Sequence, residues 1–192
     1  MWSWLISLFL LDLGCFNPPF MFALIFTQKH NYFRQIWNRL YQAAQTKTLP
    51  PHLTQGQYIQ EGLFFIDMLC SHHAVEERSL FPLLGQKMPE FRLPNHPNGT
   101  RQDVAEDADE ATRRAGILIR HHHQIHKGME EFQMYLRTCS KSPETLDWER
   151  LHRQMDTWGG VLWEHLHLEV ETLRAENMRK YWAVEELQDI EF

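Results

Sequence analysis

Long apolar stripes at helical spacing, interrupted by clusters of proline and glycine, run through the chain. From Phe20 to about Ala44 no proline or glycine intervenes; Phe26, His30, Arg34 and Trp37 share one stripe, with Phe33, Ile36 and Leu40 beside it. Asn17 followed by Pro18-Pro19 reads as a cap with proline in the first turn. Leu49-Pro50-Pro51 breaks this first helix. Thr54 and Gln57 have the spacing of a capping box and open a second helix from about Gln55 to Phe81. Tyr58, Leu63, Phe64, Phe65, Met68 and Leu69 lead up to His72 in it. Pro82 predicts a kink or an end, because it lacks a backbone donor, and Gly85 predicts a terminator.

Residues 86–103 hold Pro89, Pro94, Pro97 and Gly99 and read as a long irregular connection, either functional or poorly ordered. A third helix is predicted from about Val104 to Arg137, with acidic first turns suited to the positive end of its dipole. Leu118, Met129, Phe132 and Leu136 mark its apolar face. Ser142-Pro143 opens a fourth, reaching about Arg179. Its paired Gly159-Gly160 costs about 1 kcal/mol per glycine relative to alanine, which predicts that a neighbouring helix or a bulky tryptophan comes close there. Tyr181 to Phe192 reads as a short capping helix. No strand-like alternation of useful length occurs, so the fold class is all-α, an antiparallel up-down-up-down four-helix bundle. The expected organisation is an apolar extension over 1–16, a four-helix domain over 17–182 and a tail over 183–192.

Composition narrows the function. The 192 residues suit one domain, and 43% hydrophobic with 23% charged residues is ordinary globular content. A net charge of -6 without a basic patch argues against nucleic acid as a partner. The three cysteines, Cys15, Cys70 and Cys139, form no disulfide framework and no Cys-x-x-Cys pair, so a reducing, cytoplasmic setting is expected. Asn98-Gly99-Thr100 matches a glycosylation acceptor, which without a secretion signal is read as chance. The apolar stretch Met1–Leu13 is shorter than the about 20 residues a bilayer span needs. It also lacks the basic start and cleavage site of a signal peptide. Three readings of it stay open: an extra helix packed on the domain, a membrane-surface anchor, or a stretch included through a misassigned translation start.

The unusual entries are twelve histidines and seven tryptophans. Placement gives the histidines meaning. His72 and Glu76 are four residues apart, as are His122 and His126, and His165 and Glu169. Side chains at that spacing lie one above the other on a helix. His30 adds a fourth helix to the set. All seven lie on or beside an apolar stripe, where a charged carboxylate is costly without a partner, so Glu76 and Glu169 call for cations. His30 precedes Pro50 by 20 residues and His72 follows Pro51 by 21, so both rise to a similar height above their shared turn. Five imidazoles and two carboxylates suit two borderline ions such as iron, with the carboxylates bridging. Zinc, usually four-coordinate, fits less well, and a single ion leaves about half the residues unexplained. His73, His121 and His123 point about 100° away from their neighbours and are assigned outer or surface roles. His167 lies on the wrong face, and His52, His96 and His152 lie in or near connections. Phe65, Met68, Trp158, Val161 and Trp163 fall within about two turns of the seven and are read as core packing, or as the wall of a dioxygen pocket.

From Phe20 to Tyr181 the chain resembles the hemerythrin-like proteins, including the domain named for its His-His-Glu motif. The resemblance rests on His30-Asn31-Tyr32, on His72-His73-x-x-Glu76-Glu77-x-x-Leu80-Phe81-Pro82, on His122-x-x-Ile125-His126-x-Gly128, and on His165-Leu166-x-x-Glu169. The run from Thr172 to Trp182 looks similar to fungal members. The resemblance implies a non-haem di-iron centre. In it His122, His126 and His165 hold one iron, His30 and His72 hold the other beside an open position for dioxygen, and Glu76 and Glu169 bridge. The oxygen carriers of the family have an Asp five residues after the last histidine. Here Glu169 stands four after His165, a variant usual in the broader family, which puts oxygen transport in doubt. The expected function is binding or sensing of iron or dioxygen. The rivals are a di-iron oxidase, oxygenase or peroxidase acting on a small organic substrate, and a helical bundle without metal.

Overall fold

The computed structural model describes residues 18–92 and 116–188, and among them it is helical with no strand. Four long helices carry the architecture: α1 (Pro18–Thr46), α2 (Gln55–Val75), α3 (Ile117–Lys141) and α4 (Trp148–Thr172). They close a ring in which α1 packs on α2 and α4, and α3 packs on α2 and α4. The predicted helical bundle is therefore the observed one. The extension over 1–16, the Asn17 cap, His96, Asn98-Gly99-Thr100, the predicted start of the third helix at Val104 and the end of the tail lie outside the described residues.

Local chemistry explains most boundaries. Thr54 and Gln57 cap α2 reciprocally, the Gln57 backbone N–H donating to the Thr54 hydroxyl and the Thr54 N–H to the Gln57 side chain. Pro82 does not end this helix. Beyond Val75 it widens into one π turn, Glu76–Leu80, and continues through Phe81–Leu84 to Gly85. Ser142-Pro143 starts only a 3-10 turn, Pro143–Thr145; the cap of α4 is Asp147, whose carboxylate accepts from the N–H groups of Glu149 and Arg150. The fourth helix stops at Thr172, and two short helices follow, α5 (Ala175–Met178) and α6 (Val184–Gln188).

The paired glycines separate in role. A Cβ on Gly159 would meet Cζ2 of Trp37 at 2.7 Å, whereas one on Gly160 would meet nothing within 4 Å. Gly128 on α3 gives the matching slot, since a Cβ there would meet Cγ of Trp158 at 2.3 Å. The two indoles so accommodated meet edge to face, with centroids 4.6 Å apart.

The interior has two apolar regions. The larger runs from Phe33, Trp37 and Leu40 across Phe65 and Leu69 to Phe132, Trp158, Leu162 and Leu166. The smaller joins Phe26, Leu80, Phe81, Leu84 and Leu118 to Leu173, Met178 and Trp182. α1, α3, α4 and the continuation of α2 beyond Val75 reach the smaller region as the four long helices reach the larger, so a single layer lies between them. That layer is where the histidines and carboxylates are.

Candidate metal centre

Each long helix delivers polar side chains to this layer from within its buried stripe. On α1 His30 lies one turn after Phe26 and just before Phe33. On α2 the buried positions run Phe65, Ile66, Leu69, His72 and His73, and Glu76 opens the π turn. On α3 His122 falls between Leu118 and Ile125, and on α4 His165 and Glu169 fall between Leu162 and Leu173. His30, His73, His165 and Glu169 are 0% exposed and Glu76 is 1% exposed, so these groups see no solvent.

Glu77, His122 and His126 form an outer, partly exposed group of metal-ligand type, and further in two adjacent buried groups share Glu76. One is His30, His72, Glu76 and Glu169; the other is His73, Glu76, His122 and His165. Within each, one ligand-type atom per residue lies within 4.8 Å of the others. His30 Nε2 stands 3.2 Å from His72 Nε2 and 3.2 Å from Glu169 Oε2. His72 Nε2 is 2.8 Å from Glu76 Oε1, and His122 Nε2 is 3.4 Å from Glu76 Oε2. His30 Nδ1 lies 3.0 Å from the Leu166 carbonyl, which can only accept, so Nδ1 carries the proton and Nε2 presents a lone pair inward. His122 Nδ1 lies 2.7 Å from Glu77 Oε1, which likewise turns its Nε2 inward.

Electrostatics sharpen the arrangement. Burial first, and then neighbouring rings, push His73 and His165 well below the usual histidine range. Burial pushes His72 down to about 3 against the pull of Glu169. These rings are neutral imidazoles near pH 7. Glu76 is raised, by burial and then by the Glu169 charge. Burial opposes charge on His122 too, but its contacts with Glu76 and Glu77 outweigh it and raise the ring.

A cation fits this layer. Both oxygens of Glu76 and of Glu169, both ring nitrogens of His73 and His165, and Nε2 of His122 are buried without a hydrogen-bond partner. The short His–Glu approaches miss hydrogen-bond geometry. Imidazole nitrogens and carboxylate oxygens thus converge from seven side chains with most of these atoms lacking a hydrogen-bond partner, an arrangement that a positive ion satisfies. Imidazole with carboxylate is the donor set of borderline transition metals, not of the all-oxygen cages of calcium or magnesium. Cys70 and Cys139 are free and belong to neither group.

Of the seven residues singled out by spacing, six meet here: His30, His72, Glu76, His122, His165 and Glu169. His126 does not. Its side chain is 35% exposed, and Nε2 lies 2.9 Å from the same Glu77 oxygen that holds His122. The buried stripe of α3 runs Leu118, His121, His122, Ile125, Gly128, Met129, Phe132, Tyr135, Leu136 and Cys139, a period near 3.5 that passes beside position 126. His73 is the residue that spacing at four missed. It is three before Glu76 and four after Leu69, both tokens of the inward face. Its ring stacks on that of His122 with centroids 4.0 Å apart. Among the other histidines, His121 is buried, His52, His123 and His167 are exposed, and His152 lies partly exposed beside Asp156. Trp158 is buried, and Met68, Val161 and Trp163 pack against the larger apolar region.

A family model described as the hemerythrin HHE cation binding domain matches residues 23–175. That span holds every residue of both groups. Comparisons with curated proteins and with solved structures returned no match.

Proposed function

The chain belongs to the hemerythrin HHE cation-binding family, and from that premise we propose that it holds a non-haem di-iron centre that binds dioxygen, as an oxygen or iron binder or sensor. The observation that carries the reading is the pair of adjacent donor groups sharing Glu76 between them. One shared carboxylate between two four-residue groups is what a bridged pair of ions requires, and a mononuclear site would strand the other group's unpartnered nitrogens in an apolar interior. Iron, when bound, supplies the redox and oxygen-binding chemistry.

The chain's own residues hold that chemistry. His30 and His72 with Glu169 would hold one ion and His122 and His165 the other, with Glu76 shared by the two groups. Leu166 O and Glu77 fix the tautomers of His30 and His122. Phe26, Phe33 and Phe81 lie within ring-contact distance of His72 or His122 and place apolar surface against them. No acidic group besides Glu76 and Glu169 belongs to either buried group. A site so poor in proton donors favours reversible binding over cleavage of the O–O bond. The free thiols of Cys70 and Cys139 fit a reducing, cytoplasmic setting. No described helix is long and apolar enough to cross a membrane.

A second reading, a di-iron oxidase, oxygenase or peroxidase, is favoured by one feature. A cavity of about 690 Å³ lined by Phe81, Phe91, Arg92 and Ile119 reaches His122, His126 and Glu77, large enough for a small organic substrate. Metal analysis with visible spectra under nitrogen and then air tests the first reading. About two irons per chain, and a band that appears in air and disappears when oxygen is removed, are expected. Oxygen consumption that depends on an added organic substrate would replace it with the second. Fewer than about 0.5 metal per chain after anaerobic loading would sink both.

A further inference from the structure

We infer that the cavity beside the donor layer binds a small organic carboxylate with a flat apolar body, its carboxylate held by Arg92. This gives the enzyme reading above a substrate class; turnover rests on that reading, binding does not. The walls follow from the sequence. Ile119 and His122 are three apart on α3, and Glu77 and Phe81 are four apart on the continuation of α2, so each pair lines one side of a cleft between these helices. The chain then doubles back beside the cleft. Gly85 permits the return, because a Cβ there would meet the Phe91 carbonyl oxygen at 2.8 Å and that of Phe81 at 2.9 Å. Met88 is fully buried and pins the loop, and the 3-10 turn Pro89–Phe91 brings the Phe91 ring to 5.2 Å from that of Phe81. The result is a cavity of about 690 Å³ with aromatic and aliphatic walls and few polar groups, the size and lining of a small-molecule site.

One charge is fixed at the rim. Arg92 is exposed, and its Nε donates to the Gly85 carbonyl at 2.8 Å and its Nη2 to the Gln86 carbonyl at 3.1 Å. Carbonyls hold a guanidinium in place without neutralising it, and no carboxylate pairs with Arg92 among the described residues. A positive charge so held, with N–H donors to spare, recognises an anion at a set position. Glu77 brings a negative charge to the same cavity, so one guanidinium suits a monoanion and disfavours a dianionic phosphate. The net charge of -6 repels anions from the chain as a whole, so affinity for a carboxylate depends on this site. The apolar body then rests on Phe81, Phe91 and Ile119. The Phe81 ring lies 4.9 Å from that of His122, which also belongs to the buried group around Glu76. A molecule held there lies next to the layer in which bound iron would act.

The test is isothermal titration calorimetry of the full chain in chelator with phenylpropionate, its uncharged amide and phenyl phosphate. Phenylpropionate should bind at least about 5-fold more tightly than the amide, as a hydrogen bond to a charged group implies, and more tightly than phenyl phosphate. Arg92→Gln should abolish the preference for the acid and leave the affinity for the amide unchanged. Ile119→Trp fills the cavity and should remove binding of both. Melting by circular dichroism checks that each variant is folded, and the exposed Arg92 variant decides independently of the half-buried one. The assignment is overturned by absence of phenylpropionate binding at millimolar concentration, by equal affinity for acid and amide, or by tighter binding of phenyl phosphate. An acid preference that survives in Arg92→Gln, or a folded Ile119→Trp that binds as wild type does, also overturns it. Because the titrations are run without metal, a chain that binds phenylpropionate but takes up no iron confirms the cavity and removes only the di-iron reading.

Discussion

Replacing Glu76 by glutamine should change the stability of this protein in opposite directions with and without metal. Glu76 is 1% exposed, both its oxygens lack a hydrogen-bond partner, and its nearest polar neighbours are ring nitrogens of His72 and His122. Without metal such a group is a liability. A buried polar atom left unpaired costs about 1–3 kcal/mol, and more when charged. Glutamine keeps the shape and removes the charge. The metal-free variant should therefore be more stable than wild type by about 1–3 kcal/mol, which in a chain of this size raises Tm by roughly 2–12 °C. The gain depends on pH in a definite sense. The folded-state pKa of Glu76 is raised, so its protonated form is fully retained below about 4.5 and lost as pH rises through the folded value. The advantage of glutamine accordingly grows from pH 6 to pH 8. With metal the order reverses. Wild type gains about 2.7 kcal/mol at a hundredfold excess of free metal over Kd, and the variant, without its bridge, gains less. Melting curves by circular dichroism, in chelator and in anaerobic iron(II), supply both comparisons. A variant that melts below wild type in chelator would refute the claim that these carboxylates are placed for a cation.

The glycines offer a control away from the layer. Gly160→Ala should raise stability by about 0.5–1 kcal/mol in denaturant titration, since nothing occupies the space its Cβ needs. Gly159→Ala and Gly128→Ala, which collide with Trp37 and Trp158, should lower it by about 1–3 kcal/mol. Metal-free protein should lose stability on acidification from pH 7 to pH 5. His72, His73 and His165 have depressed folded-state values, so the unfolded chain binds protons that the fold does not below about 6.5. Each contributes at most about 1.4 kcal/mol per pH unit there, and a flat melting profile over that range would contradict their burial as neutral rings. Glu77→Gln should lower the metal-free Tm only slightly, because the Glu77 side chain is 42% exposed and its contacts with His122 and His126 are screened by solvent. It should weaken metal binding about 10–100-fold by calorimetric titration.

Much of this was legible in the sequence, and the rest failed for identifiable reasons. Apolar periodicity and the capping box at Thr54 place the helices, and spacing at four on three of them marks the layer. The Gly159-Gly160 pair points to close approach of a tryptophan, which holds for Gly159 alone. Ser142-Pro143 looks like a helix start, yet Asp147 is the cap, because a 3-10 turn intervenes. The choice among adjacent histidines was less accessible. A spacing rule built on 3.6 residues per turn keeps His126 level with His122, but the stripe of α3 repeats near 3.5 and drifts past it. On α2 the same rule selects His72 over His73, although the inward face is wide enough for both.

The π turn ties these details together. In a regular helix Pro82 would direct its ring against the carbonyl of Arg78 and leave one backbone bond unmade. The chain instead widens over Glu76–Leu80, and the Phe81 N–H reaches back five residues to the carbonyl of Glu76. A wider turn inserts a residue into the helical register without ending the helix. Leu80, Phe81 and Leu84 all return to the core after it. Glu76 therefore stays with the inward stripe that leads into the turn, while Glu77 swings aside toward His122 and His126. Two consecutive carboxylates thus take two positions, one between the buried groups and one behind the His122 ring. Single π turns are frequent at functional sites for this reason. The proline that reads as a helix breaker is accommodated by the distortion that separates Glu76 from Glu77, so the motif that ends in Pro82 works as one unit.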